Sequence, residues 1–374
     1  MIAHRFTGAA LFDGTRLHPG AVLRVKDGIV TDSGGPAEEI TLNGGILAPG
    51  FLDLQVNGGG GHMVGRTTDA AMLAALCDTH ARLGATGILP TLITDTPEAT
   101  AAVLAAGITA AKRHTPGFLG LHLEGPHLDP RRKGAHDPTL IRPMTEADLI
   151  RLLDAAQYLP SLMVTLAPEA ATPDQITRLH TAGVIVSLGH SEAKYGAAQA
   201  GIAAGATCIT HIFNAMSQLT NREPGLVGAA LTHPVFAGLI ADGIHVAPET
   251  IRIAMAAKPE RIFLISDAMA VAGTTLAEFT LGSRHILRRD GRLTLQDGTL
   301  AGADLTLAQA VGVMITQAGV AAETALAMTT SRPASCLGRG NRLGHLVPGR
   351  QADMVHLAPD LSLQAVWRAG TRVL

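Results

Sequence analysis

The stretch from Val184 to Met216, VIVSLGHSEAKYGAAQAGIAAGATCITHIFNAM, decides how the chain is read. Two short β-type runs, VIVSLGH and TCITHIF, flank EAKYGAAQAGIAAG, which is rich in Ala and closes on Gly in the manner of a helix. Strand, helix, strand in that spacing predicts one βα repeat of a parallel sheet. Each strand also carries a histidine near its end, His190 in LGHS and His211 in THIF.

Working outward, the same unit recurs on both sides. GFLDLQ (50–55), ILPTLIT (88–94), GFLGLHLE (117–124), LMVTLAP (162–168), FAGLIAD (236–242) and RIFLIS (261–266) read as further strands, making eight. AAMLAALCDTHARL, PEATAAVLAAGITAAKRH, TEADLIRLLDAAQYL, TPDQITRLHTAG and PETIRIAMAAK read as the helices between them, several opening on Thr, Pro or Glu. Eight βα units in 374 residues predict a (β/α)8 TIM-like barrel over 49–335, although a doubly wound open sheet gives a similar string. The flanks change style. Residues 1–48 and 336–374 show short alternating runs with Asp-Gly turns (AALFDGTRL, LRVKDGIVTD), predicting a small β-sandwich domain of antiparallel strands built from both chain ends. RRDGRLTLQDGTL, within 278–300, reads as a hairpin inserted late in the barrel.

Composition narrows the function. Twenty-nine basic and 31 acidic side chains give a formal charge of −2, mixed along the chain rather than gathered into a basic stripe, which argues against nucleic acid as a partner. The three cysteines, Cys77, Cys208 and Cys336, lack CxxC spacing, as expected of free thiols in the cytoplasm. The opening MIAHRFTGAALFDG lacks the basic flank and apolar core of a secretory signal, and no run approaches the roughly 18 apolar residues of a membrane span. Chemistry must therefore be sought at the strand ends. There is no GxSxG elbow, P-loop or HExxH, and the glycine run 58–61 is not GxGxxG; it reads as a tight loop beside the substrate.

The carboxyl ends of barrel strands converge on one face, so Glu124 (LHLEGP), His190 and His211 can meet although distant in sequence. Two imidazoles and a carboxylate suit one divalent ion, with a position left open for water and hence for hydrolysis. Asp267, ending RIFLISDAM, has two readings: a helix cap, or a carboxylate that carries a proton beside the metal.

DLQVNGGGG (53–61), HLEGP (122–126), KGAH (133–136), LGHS (188–191), HIFNAM (211–216), REPGLVG (222–228), DGIHV (242–246) and SDAM (266–269) occur in the order seen in N-acetylglucosamine-6-phosphate deacetylases of the amidohydrolase superfamily, and the chain resembles that family. The resemblance implies Glu124, His190 and His211 as metal ligands, Asp267 as catalytic acid and base, and His136 as the group polarising the acetyl carbonyl. It implies sugar-phosphate contacts from His245, Asn214 and Ala215. Arg222 would reach the phosphate in the neighbouring subunit of a homodimer. Many amidohydrolases carry His-x-His where this chain has Asp53-Leu54-Gln55. A neutral amide is a poor zinc ligand, so one ion per subunit is expected, Zn²⁺ first and Fe²⁺, Co²⁺ or Mn²⁺ as alternatives, with Gln55 facing the ion's water. His62 and His127 are read as surface-loop residues and left out of the ligand set.

The activity this resemblance implies is hydrolysis of N-acetylglucosamine 6-phosphate to glucosamine 6-phosphate and acetate, in amino-sugar catabolism and cell-wall sugar recycling. The galactosamine epimer or another N-acyl substrate is the alternative within the class, and a non-catalytic barrel scaffold the alternative outside it.

Overall fold

The computed structural model describes residues 3–282 and 284–374; residues 1–2 of the expected N-terminal part and Ser283 of the expected hairpin lie outside it. Eight parallel strands form one sheet in strict sequence order. They are β1 (Phe51–Val56), β2 (Ala85–Ile93), β3 (Leu121–Glu124), β4 (Leu162–Leu166), β5 (Ile185–Leu188), β6 (Cys208–Ile209), β7 (Phe236–Leu239) and β8 (Ile262–Leu264). Each is buried along its length apart from a residue at an end, which is why they read as apolar runs rather than alternations. The sheet curls into a nearly closed barrel whose seam, between β1 and β8, carries an isolated bridge from Val56 to Ala268 in place of a ladder.

Helices α1 (Ala70–Arg82), α2 (Pro97–Lys112), α3 (Glu146–Ala156), α4 (Pro173–Thr181), α5 (Tyr195–Ala203), α6 (Gly225–Thr232), α7 (Pro248–Ala257) and α8 (Leu307–Thr316) cover the barrel. Asp69 and Thr96 cap α1 and α2, and Thr145, Thr172 and Thr306 form capping boxes. Helix α6 escapes the sequence reading because Gly225 to Ala230 are all buried and no side chain caps it, so neither an amphipathic stripe nor a start signal is present.

The two chain ends share sheets, as the flanking patterns predict. Ile46–Pro49 pairs antiparallel with Met354–Leu357 in a six-stranded sheet. A four-stranded sheet of N-terminal segments joins it around Phe6, Val25, Leu47, Met354 and Trp367, with the Phe6 and Trp367 rings edge to face at 5.2 Å. The expectation of purely antiparallel pairing is corrected: Ala3–Thr7 runs parallel to Ala37–Thr41, and Ala10–Phe12 parallel to Ile46–Pro49. Alternation sets which face a residue occupies but not the direction of its partner strand. The late hairpin is also larger than expected, a four-stranded meander from Glu278 to Ala303 packed through Leu281, Ile286, Leu293 and Ala301 onto Met269 and Val271.

Candidate active site and metal centre

Three of the four strand-end residues share an unusual backbone. His190, His211 and Asp267 have φ of 47°, 27° and 49°, in the left-handed region that L side chains rarely occupy. Each lies just beyond the last residue of β5, β6 or β8, so the chain kinks where the strand ends and delivers the side chain to the barrel mouth. Such strain, of order 1–3 kcal/mol per residue, persists only where the surroundings impose it.

Glu124, at the end of β3, is 2% exposed and receives both imidazoles. His190 Nε2 stands 3.2 Å and His211 Nε2 3.0 Å from its Oε1, and the two nitrogens are 3.0 Å apart. The far side of each ring fixes its tautomer. His190 Nδ1 faces the Arg132 carbonyl at 2.8 Å and His211 Nδ1 the Asn214 carbonyl at 3.2 Å, so both Nδ1–H groups donate outward and both Nε2 lone pairs point inward. One ligand atom from each of the three residues lies within 4.8 Å of the others. Burial would raise the Glu124 carboxyl, but whenever a proton occupies an inward Nε2 of His190 or His211, its hydrogen bond and charge hold the carboxyl well below the usual range. Burial likewise opposes charge on His211, yet Glu124 raises its basicity. Converging lone pairs of this kind take a proton or a metal ion, and the N, N, O donor set fits one divalent cation.

His136 reaches the same place from the loop after β3. The Thr94 backbone N–H donates to its Nδ1 at 3.2 Å, with Thr94 Oγ1 at 2.7 Å, so Nδ1 is the acceptor. Burial, with His190 next, pushes its basicity well down, and the neutral ring then carries its proton on Nε2, 3.7 Å from Glu124 Oε2. His136 therefore presents an N–H donor to the cavity. Asp267 Oδ1 accepts from Gln55 Nε2 at 3.2 Å and Asn57 Nδ2 at 2.7 Å. Gln55 Nε2 also donates to Glu124 Oε1 at 3.0 Å, spanning the two carboxylates. Burial pushes Asp267 up to about 6, the Glu124 charge adding to it.

Asn57, Glu124, His136, His190, His211 and Asp267 line one cavity of about 360 Å³, within the range of small-molecule sites, together with Asn214, Ala215 and His245, while Gln55 and Thr94 support it from outside the lining. His245 Nδ1 is anchored on Asp242 Oδ2 at 2.6 Å. Thr299, Leu300 and Gly302 of the inserted meander also line it. Arg222 stands apart, exposed in the loop before α6 and outside the cavity lining. The glycine run 58–61 forms a tight hairpin with Met63 and does not line the cavity, contrary to expectation. His62 is exposed, but the surface-loop reading of His127 is corrected: it is 3% exposed, with Nδ1 against the Arg142 carbonyl at 3.2 Å. The sequence reading passed over Thr94 and Asn57. Thr94 closes the run ILPTLIT and Asn57 sits inside DLQVNGGGG, so their strand-end positions were the available signal.

A (β/α)8 barrel with a buried His, His, Glu trio and an acidic residue at the end of its eighth strand defines a hydrolytic metal-centre barrel. Comparison with known proteins refines that class. The description "Amidohydrolase family" matches residues 46–373. The N-acetylgalactosamine-6-phosphate deacetylase of Shewanella sp. (strain ANA-3) is 39% identical over 353 residues, 94% of this chain and 89% of that protein. The crystal structure of N-acetylglucosamine-6-phosphate deacetylase from Pasteurella multocida superposes with a TM-score of 0.95 at 31% identity over 99% of each chain. A mutant of the Mycobacterium smegmatis N-acetyl-D-glucosamine-6-phosphate deacetylase, in complex with N-acetyl-D-glucosamine-6-phosphate, does so at 0.92 and 32% over the whole of both chains. The chain belongs to the amidohydrolase family, in its branch of amino-sugar-phosphate deacetylases. No helix among the described residues is long and apolar enough to cross a membrane.

Proposed function

We propose that the protein hydrolyses the N-acetyl group of N-acetylglucosamine 6-phosphate, releasing acetate and glucosamine 6-phosphate. The observation that carries this reading is the convergence, in one cavity, of the trio Glu124, His190 and His211 with His136, Asp267 and His245. One divalent ion per subunit, Zn²⁺ first among Fe²⁺, Co²⁺ and Mn²⁺, would be held by Glu124, His190 and His211. When bound, it supplies Lewis acidity towards the acetyl carbonyl and towards water.

The chain's own groups perform the remaining work. The His136 Nε2–H donates to the carbonyl oxygen as negative charge develops there, which is worth most in a dry site. Asp267 has Oδ1 engaged by Gln55 and Asn57, which leaves Oδ2 to take a proton from the attacking water and return it to the departing amine. Water adds to the acetyl carbon, the C–N bond breaks, and the proton on Asp267 ends on the sugar nitrogen. His245 and the backbone at Asn214 and Ala215 hold the phosphate, so that its binding energy places the acetamide over the metal ligands. Arg222, exposed and outside the lining of its own cavity, is assigned to the phosphate in the partner of a homodimer.

The 39% identity to an N-acetylgalactosamine-6-phosphate deacetylase favours the C4 epimer as a second reading. Acetate release measured side by side on the two epimeric phosphates decides between them: a kcat/KM preference for the gluco epimer supports the proposal, and a preference for the galacto epimer replaces it.

A further inference from the structure

Asn57 is a buried amide with half of its hydrogen-bonding capacity unspent. It follows β1, is 2% exposed and lines the catalytic cavity. Its amide orientation is fixed by chemistry, because the atom 2.7 Å from the Asp267 carboxylate must be the donor Nδ2. Oδ1 is consequently the other atom, and it is buried without a hydrogen-bond partner. Asn57 N donates to the Ala268 carbonyl at 2.8 Å, pinning the backbone that carries this amide to the segment bearing Asp267.

A buried, unpartnered carbonyl oxygen costs free energy unless something supplies a donor. The proposed substrate, an N-acetylated amino-sugar phosphate, brings one that no residue assigned above accepts: the N–H of its acetamide. The proton carrier Asp267 must stand beside that nitrogen to deliver a proton to it, and Asn57 is bonded directly to Asp267. We propose that Asn57 Oδ1 accepts the acetamide N–H of the bound substrate, while Nδ2 holds Asp267 Oδ1 so that Oδ2 faces the same nitrogen. Asn57 thus selects an amide over an ester at the scissile bond. As C–N cleavage proceeds and the nitrogen gains protons and positive charge, the Oδ1 contact becomes charge-assisted and strengthens.

This inference rests on the deacetylase reading, and the test separates the two. Wild type and Asn57→Ala are assayed for acetate release from N-acetylglucosamine 6-phosphate and from its 2-O-acetyl analogue, glucose 6-phosphate acetylated on O2, which has no N–H to donate. If wild type releases acetate only from the galacto epimer, the comparison is made on that epimer and its 2-O-acetyl analogue; release from neither epimer overturns the deacetylase reading. If wild type is active, Asn57→Ala is expected to lose about ten- to a hundredfold in kcat/KM on the amide beyond any loss on the ester, the size expected when a buried acceptor and its donor are parted. The ratio is taken within one preparation, so misfolded protein cancels. Because a displaced Asp267 would by itself hurt the amide more than the ester, binding of the two compounds is also measured in an Asp267→Asn background, where Asn57→Ala should weaken the amide about tenfold beyond the ester; an equal change in both dissociation constants would reduce Asn57 to a residue that only positions Asp267 and overturn the proposal.

Discussion

Replacement of Asp267 by Asn isolates proton transfer from everything else the site does. Oδ1 of Asp267 is held by Gln55 Nε2 at 3.2 Å and Asn57 Nδ2 at 2.7 Å, and an asparagine keeps an oxygen at that position, so the side chain retains its place. What changes is the other atom. Oδ2 becomes an NH₂ group that cannot accept a proton from water. General acid–base catalysis contributes roughly 10²–10⁴ in rate, or about 3–5.5 kcal/mol, and Asp267→Asn should lose that much in kcat while Glu124, His190 and His211 keep their geometry. The assay is acetate release at saturating N-acetylglucosamine 6-phosphate, run beside metal analysis of the same preparation. Metal content should stay at the wild-type level. A kcat within tenfold of wild type would refute the assignment, and a loss of metal together with activity would move Asp267 from proton carrier to ligand.

Three further outcomes follow from individual contacts. His211→Ala removes one inward-facing Nε2 and should lower bound metal per subunit measured by atomic absorption; unchanged stoichiometry would remove His211 from the ligand set. Arg222→Ala should raise KM for the 6-phosphate substrate about tenfold or more with little change on unphosphorylated N-acetylglucosamine, and an equal effect on both would detach Arg222 from the phosphate. Burial pushes the Asp53 carboxyl up to about 7, so between about pH 4 and 7 the unfolded chain ionises first and folding stability falls as pH rises. The gap corresponds to at most about 4 kcal/mol, which Asp53→Asn should recover, so guanidinium midpoints of variant and wild type should diverge in the variant's favour from pH 4.5 to 8; a constant difference contradicts it.

The parts of the fold legible in the sequence are those where burial and pattern coincide. The strands around VIVSLGH and LMVTLAP are buried on both faces, and helices α1 to α4, which begin on Asp or Thr caps, announce themselves, whereas α8 escapes the sequence reading although Thr306 caps it. Helix α6 has neither a stripe nor a cap and was invisible for that reason. The run TCITHIF promised seven residues of strand, but β6 stops at Ile209 because the backbone turns at His211 into the left-handed region to serve the site. Residue types at strand ends pointed to Glu124, His190, His211 and Asp267. No local pattern shows that Thr94 sets the tautomer of His136, since that bond spans 42 residues, or that His127 is buried against the Arg142 carbonyl.

The same long-range contacts explain why the proton carrier stands where it does. Strands β1 and β8 do not complete the ladder that closing a barrel would normally provide. The seam is closed instead by polar groups from one strand end to the other: Asp53 accepts from the Ser266 N–H at 3.2 Å, Gln55 and Asn57 donate to Asp267, and Asn57 N donates to the Ala268 carbonyl. A fully laddered seam would keep the β8 backbone extended past Leu264 and deny Asp267 its φ of 49°. Leaving the ladder open lets the chain kink there, and the side chains that bridge the gap are the ones that aim the carboxylate. Barrel closure and proton transfer thus draw on one set of hydrogen bonds. His136 is held from Thr94, just past the end of the neighbouring strand β2, so the carbonyl donor and the proton carrier are positioned independently, and loss of either leaves the other in place.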